Sequence, residues 1–370
     1  MNHYPSNVKE KLNSIILSMA EHHWLFSKNP GHDFTRQHLG KLSFYDTMRL
    51  IISMGKGSTN DEIMDYFDLD PDLIPSQSAF CQRRRQISLS AFEYLFSEFS
   101  SSFPSTTDKF KDHCILACDG CHVVYATNSD IIEDYNKPRL IDYKGYNHMH
   151  LNGFVDVISK AFLDVVIQPG QQPDEREALH SMLDHFTPDD PQKYIITADR
   201  GYESYDLLFH CELKNLGYVF RVKSPSSQKS ILSYYASEFP DDLEEFDVTI
   251  KRFFTDKATN IMKSQSDVYR YINPSKNTPH FYELLRKKHS HLYFLQFRVV
   301  KIKTAENTYE YLITNLPFSF TLDDIRECYH WRWGIEISFR YLKHAAGLLY
   351  FHSKQPEFLK QEIYSRLILY

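Results

Sequence analysis

The segment HCILACDGCHVVYA, residues 113–126, decides how the chain is built. CILAC is short, apolar and tolerant of extended backbone, so it predicts a strand closing at Asp119. A carboxylate leaving a buried apolar strand needs a partner, because burying it alone is costly. The same segment holds Cys118 and Cys121 in a C-x-x-C spacing, flanked by His113 and His122. That spacing can serve a metal or thiol redox chemistry, or the cysteines can be bystanders. Zinc would want a second pair at similar spacing, which Cys81, Cys114, Cys211 and Cys328 do not supply. A redox C-x-x-C opens a helix, whereas this one leaves a predicted strand.

Downstream, HLNGFVDVIS and AFLDVVIQPG are β-rich runs only a few residues apart, which predicts a hairpin. PDEREALHSMLDHF has helical spacing. KYIITAD is a continuous apolar run, as expected of a strand buried on both faces, and it ends in Asp199. SYDLLFHCELKN reads as a helix and YVFRVK as another strand. Three strands, a helix, a strand, a helix and a strand make a mixed α/β sheet. Residues 224–310 are irregular and β-rich, as in an inserted subdomain. YLITNLP then predicts a buried strand, and TLDDIRECYHWRWGIEISFRYLKHAAG one long helix.

Upstream, residues 1–108 read as helical. LSFYDTMRLIISMG stops at Gly55, and STNDEIMDYFDLD offers Ser58 or Thr59 as a cap with Glu62 completing a capping box. SQSAFCQRRRQISLSAFEYLFSEF is a third amphipathic stretch, and SSSFPSTTD, residues 100–108, predicts a linker. The expected organisation is therefore 1–108, 109–223, 224–310 and 311–370.

Hydrophobic residues make up 42% of the 370-residue chain, with 25 Tyr and 27 Phe, which excludes a disordered chain. No apolar run approaches the roughly 18–20 residues of a membrane span, and the N-terminus lacks the order of a signal peptide, so a cytoplasmic protein is expected. A net charge of −6 argues mildly against nucleic acid, but a total hides its distribution. Residues 251–303 carry 12 Lys/Arg against 3 Asp/Glu. Lys251, Arg252, Arg286, Lys287 and Lys288 there, and Arg83, Arg84 and Arg85 upstream, are either solvated surface or a path for DNA phosphate.

The chemistry collects on the predicted long helix. Tyr329, Arg332, Glu336 and Lys343 lie at i, i+3, i+7 and i+14, within roughly 60° of one another, with Arg340 close by. One stripe thus presents a phenol, cations and a single carboxylate. It is either a salt-bridged surface or one wall of a site. With Asp119 and Asp199 at strand ends, Glu336 completes a three-carboxylate set. Hard oxygen donors of this kind suit Mg²⁺ or Mn²⁺, and two such ions clamp an in-line phosphoryl transfer.

YHWRWGIEISFRYLK resembles the Y-x2-R-x3-E-x6-K signature of bacterial DDE transposases of the insertion-sequence-four type. DRGY, residues 199–202, is similar to that family's motif around its second aspartate, and CDGC to the segment carrying its first. The resemblance covers about residues 40–365. It implies a ribonuclease-H-like core with a β-rich insertion before the glutamate helix, and SQSAFCQRRRQ as part of an N-terminal DNA-binding region. It further implies Asp119, Asp199 and Glu336 as catalytic metal ligands, which leaves Cys118 on the strand and Cys121 on the turn as bystanders. Tyr329, Arg332, Lys343 and Arg340 would grip phosphate. The implied activity is cutting at terminal inverted repeats and joining to target DNA, as a nucleoid-associated homodimer on double-stranded DNA. A metal-dependent nuclease on the same core, or a non-cutting DNA-binding remnant, are the alternatives. Some related enzymes stack a flipped base on a Trp of the insertion. No Trp occurs between Asp199 and Tyr329 here, so Phe253, Phe254 or a Tyr would serve. Trp331 and Trp333 are expected as packing groups. The final residues, EIYSRLILY, stop within an apolar helical pattern, as in a truncated copy.

Overall fold

The computed structural model describes residues 4–35, 42–103, 109–137, 145–240, 242–257, 259–273 and 278–370. Five helices come first: α1 (Tyr4–Glu21), α2 (Phe44–Ser53), α3 (Thr59–Tyr66), α4 (Gln77–Gln86) and α5 (Leu89–Ser101). Ser43 with Asp46, and Ser58 with Asp61, close capping boxes on α2 and α3. The partner of Ser58 is thus Asp61 and not Glu62, whose carboxylate instead accepts the Gly57 N–H at 2.7 Å. The amphipathic stretch over residues 76–99 forms two helices, α4 and α5, parted at Ile87 and Ser88, both extended. Residues 104–108 of the expected linker lie outside the described residues.

The sheet is built from β1 (Cys114–Tyr125), β2 (Tyr135–Asn136), β3 (Tyr146–Asp156), β4 (Ala161–Pro169), β5 (Tyr194–Ala198), β6 (Gly217–Val222), β7 (Phe246–Thr255), β8 (Tyr269–Tyr271), β9 (Leu292–Ala305) and β10 (Thr308–Thr314). Its order is β2-β3-β1-β5-β6-β10-β9-β7-β8, with β4 also on β3. The hairpin of β3 and β4 is present. β1 is antiparallel to β3 but parallel to β5, and β5 is parallel to β6. The connections between the parallel strands run through α6 (Glu175–His185) and α7 (Tyr205–Leu213). Between β7 and β9 come α8 (Asn260–Ser264) and α9 (Pro279–Lys287), and β10 leads into α10 (Leu322–Trp331), α11 (Trp333–His344) and α12 (Pro356–Leu369). The fold is mixed α/β. The β7, β8 and β9 strands of residues 224–310 extend the same sheet, and the expected boundary at 310/311 falls inside β10.

Alternation along β1 separates two cores. Ile115, Ala117, Cys121 and Val123 join an apolar cluster with the N-terminal helices, Ile335, Phe339 and α12. Leu116 and Cys118 join another with α6, α7, α9 and strands β6 to β9. Helices therefore cover both sheet faces. Helix α12 is buried nearly all round, so its polar side chains must be paired. Arg84 Nη1 lies 2.8 Å from Glu362 Oε1, Gln361 donates to the Ile87 carbonyl at 3.2 Å, and Arg366 donates to the Gly55 carbonyl at 3.1 Å. These bonds bind the last helix to the first hundred residues.

Two expectations about the site elements are corrected. The first strand does not end at Asp119: it continues through Cys121 to Tyr125, because β3 pairs with it up to Tyr125↔Asn147. Cys121 is on the strand and not on a turn. Three residues apart in a two-residue period, Cys118 and Cys121 face opposite sides of the sheet, which is why the pair cannot close on one metal. The long helix is also interrupted. Arg332 separates α10 from α11, and the ladder tightens to three-residue bonds, Arg332 N–H to the Tyr329 carbonyl and Ile335 N–H to the Arg332 carbonyl, both 3.1 Å. Gly334 sits there against Val157, the turn residue that follows β3, whose Cβ would lie 3.0 Å from any added Cβ.

Candidate active site

Parallel pairing of β1 and β5 runs from Cys114↔Tyr194 to Ala117↔Thr197. Two residues further on, in the same register, stand Asp119 and Asp199. Asp119 is still within β1, but its neighbour β5 has ended, so its carboxylate lies at the carboxyl edge of the parallel strands, where α/β sheets bind ligands. Asp199 caps a 3-10 turn, Arg200–Tyr202, its Oδ1 accepting the Gly201 N–H at 2.7 Å. Tyr202 is buried under the turn and accepts a long bond from Cys118 Sγ, 3.5 Å.

Arg332 joins the strand to the helix. Its Nη1 is 3.5 Å from Asp119 Oδ2 and its Nη2 donates to Glu336 Oε1 at 3.0 Å. The guanidinium is 6% exposed and lies 5.6 Å from the centroid of the Tyr329 ring. Asp119 and Glu336 therefore converge on one cation. Asp199 acts on Asp119 through its charge. Burial pushes the Asp119 carboxyl up to about 6; the Gly120 N–H and Arg332 oppose this, and the charges of Asp199 and Glu175 add to it.

Glu175 is a fourth carboxylate that sequence reading passed over. It opens α6, and its Oε1 lies 3.1 Å from Nε2 of the buried His150. Both meet at Gly120: a Cβ there would stand 2.2 Å from His150 Nε2 and 2.8 Å from Glu175 Oε1. The glycine of CDGC is the space these two side chains fill. His122 is paired with His150 across the strands, and its ring lies 4.4 Å from that of His148. The alternation His148, His150, Asn152 on β3 is a readable one-face pattern. Glu175, by contrast, is indistinguishable in sequence from a helix-dipole glutamate after its Asp174 cap.

Of the four carboxylates Asp119, Asp199, Glu336 and Glu175, Asp119 and Glu336 reach the buried Arg332 guanidinium. This excess of negative charge on oxygen donors, with a carboxyl pushed upward in its midst, fits a divalent cation of the hard class. Lys343 lies beside Cys121: burial pushes the Cys121 thiol up to about 11, against the pull of the Lys343 ammonium.

The other expected contacts divide. Arg340 is exposed, but Tyr329 is buried, 5% exposed, beneath Arg332. Trp331 and Trp333 are 39% and 54% exposed, so they are not packing groups; the break at Arg332 turns both outward beside the guanidinium. Arg84 is 4% exposed and held by Glu362, Gln361 and the Phe358 carbonyl, which removes it from the surface expected of a DNA contact. Arg83 donates to Gln86 at 3.0 Å, and Arg85 is exposed. In the basic segment, Lys251, Arg286, Lys287 and Lys288 are exposed, whereas Arg252 is buried against Glu238. The acidic stretch before it neutralises more of the excess, through Asp247 with Arg298 and Glu244 with Lys303 at 2.7 Å. Phe253 is 38% exposed, and Phe254 is fully buried. Among the described residues, no helix is long and apolar enough to cross a membrane.

No curated protein matches the chain. Among solved structures, one similar chain is a piggyBac transposase, seen by cryo-EM in a synaptic complex with hairpin DNA. It is 10% identical, with a TM-score of 0.45 over 97% of this chain and 69% of that one. The family described as Transposase DDE domain matches residues 110–370, from just before β1 to the end of α12. With that match spanning well over half its length, the chain belongs to the transposase DDE-domain family and is a DDE transposase.

Proposed function

We propose that this transposase is of the insertion-sequence-four type, with Tyr329, Arg332, Glu336 and Lys343 as its Y-R-E-K signature, and that it cuts the terminal inverted repeats of its own element and joins them to target DNA. The observation that carries the reading is Arg332, which spans Asp119 on β1 and Glu336 on α11. The strand order β4-β3-β1-β5-β6, with β1, β5 and β6 parallel, supports a ribonuclease-H-like core over residues 109–223 and 311–370. Residues 224–310 form its insertion, and residues 1–108 an N-terminal DNA-binding region.

Asp119, Asp199 and Glu336 would hold two Mg²⁺ or Mn²⁺ ions, which when bound supply Lewis acidity at the scissile phosphate and lower the pKa of an attacking water. Arg332 bridges two of those carboxylates and so fixes where each one stands. Tyr329 supports the guanidinium from below, so its part is positioning. Exposed Trp331 and Trp333 offer aromatic faces to unpaired bases near the cut. Lys343 and Arg340, further along α11, meet phosphate oxygens of the bound strand. Arg85, Lys251, Arg286, Lys287 and Lys288 extend the electrostatic path along double-stranded DNA. The protein acts as a homodimer, one chain at each end, in the nucleoid.

The test is Asp119→Asn, assayed on one end fragment by gel shift and by nicking in Mn²⁺. Retained binding with lost nicking is expected, since the phosphate-binding surfaces are unaltered. Full nicking by the variant refutes Asp119 as a ligand. Cleavage without joining of the freed 3′ ends to a target would make the protein a nuclease on this core.

A further inference from the structure

Away from the carboxylates, on the other face of the sheet, three histidines come together from three helices. His180 is on α6, His210 on α7 and His280 on α9. Their rings stack at 3.8 Å (His210–His280) and 4.4 Å (His180–His280) between centroids, with planes within 11°. Each offers a ring nitrogen, and these three lie within 4.8 Å of one another. Two carboxylates flank the stack. Asp206, 2% exposed, accepts from His280 Nδ1 at 2.7 Å and lies 3.6 Å from His180 Nε2. Asp184 Oδ1 lies 3.2 Å from His210 Nε2.

A carboxylate decides one tautomer: it accepts, so the bond to Asp206 places the N–H of His280 on Nδ1 and leaves its Nε2 a lone pair. His180 Nδ1 and His210 Nδ1 face each other at 2.9 Å, so in the neutral pair one donates and the other accepts. A metal ion there would replace the shared proton and take a lone pair from each ring. Neutral imidazoles with carboxylates on their outer nitrogens are the form in which histidine ligates metal.

We propose that His180, His210 and His280 form a transition-metal site of the zinc class, with Asp206 and Asp184 orienting the imidazoles. Zn–N bonds of about 2.0–2.1 Å in tetrahedral geometry place ligand nitrogens about 3.3 Å apart, so the two Nδ1 atoms need open by only a few tenths of an ångström. His280 reaches the ion by rotation about χ2, a soft torsion. Imidazole donors select Zn²⁺ over Mg²⁺, so this site and the carboxylate cluster prefer different metals. The ion would fasten α9, within residues 224–310, to α6 and α7, beside the Phe209–Phe281 contact at 4.7 Å.

The experiment is a titration of the metal-stripped full chain with Zn²⁺ and, in parallel, Co²⁺. One equivalent bound, a raised unfolding temperature and the visible absorption of a tetrahedral Co²⁺ complex are expected. His210→Asn should weaken Zn²⁺ binding more than about 100-fold, and Asp206→Asn by about 10–100-fold. His180→Gln, at a more accessible position, carries the test if His210→Asn does not fold. Asp119→Asn should leave the Co²⁺ spectrum intact. No Zn²⁺-dependent stabilisation, or a Co²⁺ signal lost in Asp119→Asn but kept in His180→Gln, overturns the proposal.

Discussion

Replacing Arg84 by Ala should destabilise the fold by ~3–5 kcal/mol, the usual consequence of removing one partner of a buried ion pair. The guanidinium is 4% exposed and donates to Gln361 at 3.0 Å and to the Phe358 carbonyl at 2.7 Å. Without it Glu362, 1% exposed, keeps the bonds from His352, whose backbone N–H lies at 2.9 Å and Nδ1 at 3.2 Å, and the more distant charge of Arg366. The stranded carboxylate, more than the lost bonds, sets the size of the effect. Exchanging both charges, Arg84→Met with Glu362→Leu, should therefore recover most of it. Burial pushes the Glu362 carboxyl up, but His352 and Arg84 outweigh burial and hold it below the ordinary glutamate range. A depressed folded value means its contribution is complete above the unfolded value, about 4.3, and fades as pH falls through the lower folded one. Arg84→Ala loses much of that depression, so its deficit relative to the parent should be largest above the unfolded value and shrink as pH falls and the stranded carboxyl is protonated. Urea unfolding followed by circular dichroism, at pH 7 and in steps toward pH 3, measures both. Exposed Arg85→Ala is the comparison, expected within about 0.5 kcal/mol of the parent. If Arg84→Ala unfolds like the parent yet binds DNA less tightly, Arg84 is a phosphate contact and the role assigned to the pair is wrong.

Arg332→Ala should lower nicking roughly 10²-fold, with a smaller change in gel-shift affinity, because Asp119 and Glu336 lose the group that positions them; equal losses would reduce Arg332 to an ordinary affinity contact. Gly120→Ala forces a methyl against His150 and Glu175 and should cost ~1–3 kcal/mol of stability in thermal unfolding; pairing it with His150→Ala should relieve the clash, and no relief would mean the strain lies elsewhere. Neutralising Arg286, Lys287 and Lys288 should weaken binding alike on all sequences and flatten the log K against log salt slope by up to about 2.7; an unchanged slope would assign these residues to solvated surface.

Much of the fold was legible because burial on both faces leaves a compositional mark. CILAC and KYIITA are apolar throughout, and no local alternative competes with a central strand. The hairpin of β3 and β4 and the helices α6 and α7 were legible from period and caps for the same reason. Sequence also brought forward Asp119 and Asp199, since a carboxylate at the end of an apolar run is conspicuous, and Glu336 as the single carboxylate on a helix stripe. Pairing partners decided the rest. β1 runs on past Asp119 because β3 hydrogen-bonds it, which no residue of CDGC announces. The helix breaks at Arg332 where Gly334 lies against Val157, a contact between residues far apart in the chain. That break exposes Trp331 and Trp333 and buries Tyr329. Arg84 looked like its neighbours Arg83 and Arg85, and only the docking of α12 made it a core residue. Glu175, on α6, joined the carboxylates because Gly120, on β1, left it room. A sequence records which side chains can be buried or charged; which of them meet is fixed by contacts between distant segments, whose energies depend on the assembled structure and not on local order.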